Sequence, residues 1–176
     1  EGARCLLVSE NRPEWFVSAL AIMLAGGFTV PAYTTYTDED YKYLIEDCEP
    51  SLVIVSNNEM LKKLNNTINE KTFIKKIITL DKVDKVIGNL KFISKEKYLD
   101  FETVIKKDLL EKDKIKNNNL KRNSPACIIY TSGTGGNPKG VILSHGGILS
   151  NLVGACEITK PLFHSRPVFL TWLPLS

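Results

Sequence analysis

Apolar and polar positions alternate along this chain in two distinct rhythms. Cys5-Leu6-Leu7-Val8 is an unbroken apolar run of strand length. Asn11-Arg12-Pro13-Glu14 follows, with the proline where a first helical turn tolerates its missing N–H. The spacing predicts a helix from Pro13 to Ala25, ended by Gly26-Gly27, with Trp15, Ala19, Ile22 and Met23 as its core stripe. Phe28-Thr29-Val30 reads as a strand stopped by Pro31. Thr34-Thr35-Tyr36-Thr37 reads as a turn and helix cap. Thr37 caps a helix whose three opening acids, Asp38, Glu39 and Asp40, suit the positive end of the helix dipole. Tyr41, Leu44, Ile45 and Cys48 keep helical spacing, and Pro50 ends the segment. Ser51 to Val55 reads as a strand covered on both faces, Asn58 to Asn69 as a helix and Ile74 to Leu80 as a strand. This alternation predicts an α/β fold, a parallel-rich sheet with helices on both faces.

Residues 81–123 break the rhythm. They are Lys-rich and weakly periodic, with one amphipathic helix expected from Phe101 to Leu110 and a polar linker from Lys112 to Asn123. Ala126 to Tyr130 resumes the strand pattern, Val141 to Leu143 is a second short strand, and Ser144 can cap a helix running to about Ile158. Val168 to Leu173 is a last strand candidate. The organisation expected is therefore a first α/β part (1–80), a variable Lys-rich segment (81–123) and a glycine-loop part (124–176).

Composition narrows the class. With 43% hydrophobic and 24% charged residues among 176, the chain suits a folded protein of about one domain. The net charge of +3 is too small to call for nucleic acid. Residues 1–56 carry three basic against nine acidic groups, residues 57–123 seventeen against ten, and residues 124–176 three against one. The central excess is nearly all Lys, mixed with Asn, Asp and Glu, whereas nucleic-acid surfaces more often show Arg, so it reads as a solvated surface. Cys5, Cys48, Cys127 and Cys156 each sit in or beside an apolar run and read as buried free thiols, which favours a reducing, cytosolic compartment. No Cys/His spacing suggests zinc. The apolar run from Trp15 to Ala25 is too short for a bilayer, which needs about 20 residues. The chain begins at Glu1 and stops at Ser176 after an apolar run, so both ends read as cut and a targeting segment upstream is left open.

One segment carries chemistry: Tyr130-Thr131-Ser132-Gly133-Thr134-Gly135-Gly136-Asn137-Pro138-Lys139-Gly140-Val141. Four of the eight residues from 133 to 140 are Gly, far more than a plain hairpin needs. Each costs about 0.5–1 kcal/mol of extra chain entropy relative to Ala. Close backbone approach to an anion would use them, with hydroxyls of Thr131, Ser132 and Thr134 adding donors and Lys139 a mobile charge. A Walker-type loop fails on spacing, because Pro138 stands where its second Gly belongs, and a dinucleotide GxGxxG fails at the same residue.

With Leu143-Ser144-His145 added, this segment resembles the phosphate-loop signature of AMP-forming acyl-CoA synthetases and their adenylate-forming relatives. Ser9 to Trp15, Ala25-Gly26-Gly27 and Val30-Pro31-Ala32-Tyr33 are similar to the N-terminal part of long-chain fatty-acid-CoA ligases, and Trp172 to Ser176 looks like the start of the family's next motif. The resemblance covers most of the chain outside 81–123. It implies partial N-terminal subdomains of an adenylate-forming enzyme. ATP phosphates would be held by Thr131, Ser132, Gly133, Thr134, Gly135, Gly136 and Lys139, and Trp172 would neighbour the acyl site. The family usually has Thr or Ser at the position of Gly135. One hydroxyl donor is thereby lost, worth about 1.5–3 kcal/mol if it bonds a charged phosphate.

The implied reaction is formation of acyl-AMP from a fatty acid and ATP, then transfer to coenzyme A, with Mg²⁺ on the phosphates. Small molecules are the implied partners, with peripheral membrane contact through regions outside this chain and a cytoplasmic or membrane-associated location. No catalytic residue of the family falls within the chain, so the fragment alone is expected to be inactive. Two rival classes remain: an adenylating enzyme for another carboxylate, and a non-catalytic nucleotide-binding module. His145 reads as a helix-end histidine, and His164 and Arg166 as a solvated loop.

Overall fold

The computed structural model describes residues 2–69, 71–82, 97–106, 120–131, 137–164 and 168. Among the described residues seven strands form one sheet: β1 (Arg4–Val8), β2 (Phe28–Ala32), β3 (Leu52–Val55), β4 (Lys76–Thr79), β5 (Tyr98–Asp100), β6 (Pro125–Thr131) and β7 (Lys139–Ser144). Their order is β5-β4-β3-β1-β2-β6-β7. All pairings are parallel except the last, where β6 and β7 form an antiparallel ladder. The parallel pairing of β2 with β6, at Thr29 and Cys127, joins the first part of the chain to the glycine-loop part in one sheet.

The helices are α1 (Pro13–Leu24), α2 (Asp38–Cys48), α3 (Asn58–Asn69), α4 (Phe101–Lys106) and α5 (His145–Thr159), the last followed by a 3₁₀ turn, Lys160–His164. Two apolar clusters fill the two faces of the sheet. On one face Trp15, Ala19 and Ile22 of α1 pack on Cys5, Leu7 and Ile54. On the other, Tyr41, Leu44, Ile45 and Cys48 of α2 and Leu61, Leu64 and Ile68 of α3 pack on Leu6, Val8, Val30, Val53 and Ile128. Strand residues therefore alternate between two apolar layers, which is why β3, and β1 after Arg4, are apolar at every position. Each large aliphatic side chain buried there contributes about 1.5–3 kcal/mol relative to exposure.

Element ends follow local chemistry. Arg12 precedes Pro13 in extended backbone and makes no side-chain cap; its guanidinium donates to Glu14 (2.8 Å) and Asp81 (2.9 Å) instead. Gly26 closes α1 at φ 76°, a conformation glycine adopts without steric cost. Thr37 and Asp40 form a reciprocal capping box at the start of α2. Ser144 caps α5 by accepting from the Gly147 N–H at 3.1 Å.

Three expectations change. β2 does not stop at Pro31 but runs through it to Ala32, with Pro31 in register opposite Leu7 of β1. β5 lies inside the Lys-rich segment that showed no strand rhythm; only three residues long, it is too short to show a period. Cys156 is exposed on α5, whereas Cys5, Cys48 and Cys127 are buried. The apolar run around Cys156 is that of a helix with little cover: Leu152, Val153 and Ile158 are exposed as well. The helix expected from Phe101 is described to Lys106, and its continuation to Leu110 lies outside the described residues, as does all but Val168 of the last strand candidate.

Candidate functional site

Five of the seven predicted phosphate-binding residues, Ser132, Gly133, Thr134, Gly135 and Gly136, lie outside the described residues, as does Trp172. The structure does place what flanks them. Thr131 ends β6 and Lys139 begins β7, and the two are direct cross-strand partners. Both are exposed. Because β6 runs parallel to β1–β5, Thr131 stands at the carboxyl edge of the parallel strands, where open α/β sheets bind ligands.

Next to this point is an open cleft of about 700 Å³. Tyr33 and Tyr36 border it after β2, Glu39, Asp40 and Tyr43 from α2, and Tyr130, Thr131, Asn137 and Pro138 from the hairpin. The cleft has built walls. Tyr33 and Tyr36 meet edge to face at 5.4 Å, and Tyr36 and Tyr41 at 5.8 Å. The Tyr41 hydroxyl donates to the Tyr33 carbonyl at 2.6 Å, and the Lys63 ammonium lies 5.3 Å from the Tyr41 ring centroid while donating to the Thr34 carbonyl. Burial keeps the Tyr41 phenol far above the usual tyrosine range, so it remains a donor at any physiological pH.

The hairpin is tied to α2 at two places. The Tyr43 hydroxyl donates to the Pro138 carbonyl at 2.8 Å, and the Tyr130 hydroxyl donates to the Asp47 carboxylate. Burial, then the bond to Asp47, raises the Tyr130 phenol well above its ordinary range. Gly140 faces Tyr130 across the ladder. A Cβ at Gly140 would come within 2.9 Å of Ile128 Cγ2 and 3.2 Å of Tyr130 Cζ, so the bare backbone is what lets the Tyr130 ring lie there. Sequence reasoning passed over Tyr43 and Asp47. Their only signal was a spacing of four on α2, which ordinary surface residues share.

The His145 ring has a buried Nε2 with no hydrogen-bond partner among the described residues. His145 opens α5, its backbone N–H donating to the Ser124 carbonyl at 3.0 Å. His164 ends the 3₁₀ turn, and Arg166 lies outside the described residues. Among the described residues no helix is long and apolar enough to cross a membrane.

The profile of the AMP-binding enzyme family matches residues 1–176. The chain belongs to the AMP-binding enzyme family. Among its relatives, the long-chain-fatty-acid–CoA ligase ACSBG2 of Rattus norvegicus is 32% identical over 169 residues, covering 94% of this chain and 25% of the relative. Long chain acyl-CoA synthetase 4 of Arabidopsis thaliana is 29% identical over 182 residues, covering 99% of this chain and 26% of the relative. The chain thus spans about a quarter of the length of the curated relatives it matches. Solved structures of similar fold include the red-emitting luciferase of Phrixothrix hirtus, with a TM-score of 0.71 at 21% identity over 94% of this chain and 38% of that one. The anthranilate CoA ligase AuaEII, solved with anthranoyl-AMP, has a TM-score of 0.62 at 22% identity over 82% of this chain and 25% of that one. These matches agree with a mostly parallel α/β architecture.

Proposed function

We propose that the protein carrying this chain is an AMP-forming acid–thiol ligase acting on long-chain fatty acids. A carboxylate oxygen attacks the α-phosphorus of MgATP, the bond to the β-phosphate breaks, and pyrophosphate leaves. The thiol of coenzyme A then attacks the acyl carbonyl, loses its proton and displaces AMP. The first step joins two anions, so positioning and charge neutralisation carry most of it. In this reading the donors of residues 131–136 and the Lys139 ammonium hold the β- and γ-phosphates, and Lys139 offsets charge on the departing pyrophosphate. The magnesium enters with the nucleotide, on its phosphate oxygens. In this reading residues 124–176 supply the phosphate-loop part of an AMP-binding domain, and Trp172 is assigned to the neighbourhood of the acyl site.

The observation that supports this reading best is the placement of Thr131 and Lys139. They flank a Gly- and hydroxyl-rich segment at the carboxyl edge of a parallel sheet, in a chain matched end to end by the AMP-binding family. The names of the relatives favour a fatty acid over other carboxylates. ATP–pyrophosphate exchange by the full-length protein tests it. Exchange dependent on a C14–C18 fatty acid is expected. Exchange with only a short or aromatic carboxylate would move the substrate class, and ATP binding without exchange on any carboxylate would leave a non-catalytic module.

A further inference from the structure

The two residues of the proposed phosphate site that the structure describes, Thr131 and Lys139, are each covalently adjacent to a residue bonded to the same helix. Tyr130 precedes Thr131 and donates to Asp47; the carbonyl of Pro138 precedes the Lys139 amide and accepts from Tyr43. Tyr43 and Asp47 are four residues apart on α2, one above the other on a single helix face. Glu39, one turn earlier on that face, lines the cleft.

The helix offering these groups is well fixed. Its opposite side is core: Tyr41, Leu44, Ile45 and Cys48 are nearly inaccessible. Its start is locked by the Thr37–Asp40 capping box, and its end turns through Glu49 in the left-handed region before Pro50. The hairpin, in contrast, has an exposed outer strand, with Ile142 61% exposed. A rigid helix therefore bridges the two stems of a hairpin that, among the described residues, has little other cover on β7. The gap left by Gly140 belongs to the same arrangement, because a side chain there would push the Tyr130 ring, and its hydroxyl, away from Asp47.

We propose that α2 positions the stems of the phosphate loop, with Tyr43 and Asp47 as the positioning residues, holding the paired Thr131 and Lys139 in place beside the cleft before nucleotide arrives. The inference rests on the reading of residues 131–139 as a triphosphate site. In this proposal both residues act on the hairpin stems and not on the phosphates. Their effect is on preorganisation, so it appears in nucleotide affinity and not in the chemical step.

The test uses full-length protein with Tyr43→Phe, Asp47→Ala and Asp47→Asn. Tyr43→Phe and Asp47→Ala should each raise KM for MgATP about 2- to 10-fold, the range a single hydrogen bond supports, with kcat and the carboxylate KM unchanged. Asp47→Asn keeps an acceptor for the Tyr130 hydroxyl and should restore most of the loss. A second readout needs no turnover: tryptic cleavage after Lys139 should be faster in Tyr43→Phe and Asp47→Ala than in wild type at equal thermal stability. Unchanged KM for MgATP and unchanged cleavage in both would overturn the role of α2 while leaving the ligase reading in place. A wild-type protein that neither turns over MgATP nor is protected by it at Lys139 would overturn the triphosphate site itself, and the inference with it.

Discussion

At the scale of single residues, the Pro-Lys-Gly end of the loop motif separates into three functions. Pro138 offers a carbonyl to Tyr43, Lys139 offers charge, and Gly140 offers space. The glycine is the easiest of these to misjudge from sequence, because it looks like one more flexible loop residue. It is a strand residue paired with Tyr130. Overpacking of this kind costs about 1–3 kcal/mol. Gly140→Val should therefore lower the urea midpoint at unchanged slope, and an unaltered midpoint would show that the Tyr130 ring and Ile128 yield freely.

At the scale of elements, α2 is where sequence and structure agree most closely. Thr37, three following acids, a four-residue apolar stripe and a terminal proline are each a local signal, and each appears in the structure at its expected place. Thr37→Ala should cost about 1 kcal/mol in denaturant unfolding, since the hydroxyl satisfies the Asp40 N–H. The side-chain and backbone hydrogen bonds from Thr37 lower the Asp40 carboxyl below its usual range. The stability linked to Asp40 is thus fully present above its unfolded value of about 3.9 and is lost as pH falls through the lower folded value. The Thr37→Ala penalty measured near neutral pH should shrink below about pH 4; a penalty constant down to pH 2 would separate the cap from Asp40. What sequence could not show has a different physical character. The β5 strand is only three residues, and its place depends on pairing with β4, a tertiary contact. The clamp of Tyr43 and Asp47 on the hairpin spans 95 and 83 positions along the chain and leaves no mark on any local pattern.

At the scale of the whole molecule, cover is uneven. The layer under α2 and α3 is closed, whereas the α1 layer keeps an apolar cavity of about 310 Å³ beside Cys5 and Ile54, and β7 and α5 present Ile142, Leu152, Val153 and Ile158 to solvent. Cysteine chemistry reports this directly. Burial pushes the Cys5 thiol up to about 11 and the Cys48 thiol to about 12, and raises Cys127 as well. Cys156 is exposed. Native thiol titration of this chain at neutral pH should give one fast-reacting cysteine, mapped to Cys156, and three that react only on unfolding. Four equivalent thiols would contradict the layer assignment. Cys156, expected from its apolar neighbours in sequence to be buried, is exposed because exposure is decided by what packs on α5 and not by the composition of the helix.

All three scales meet at Lys139, the charged residue at the edge where the parallel sheet ends and the hairpin turns. Calorimetric titration of MgATP into full-length wild-type and Lys139→Ala protein tests its role most directly. The account predicts affinity weakened about 10-fold or more, as befits a lost hydrogen bond between charged groups, with fatty-acid binding unchanged. Equal MgATP affinity in the two proteins would contradict it.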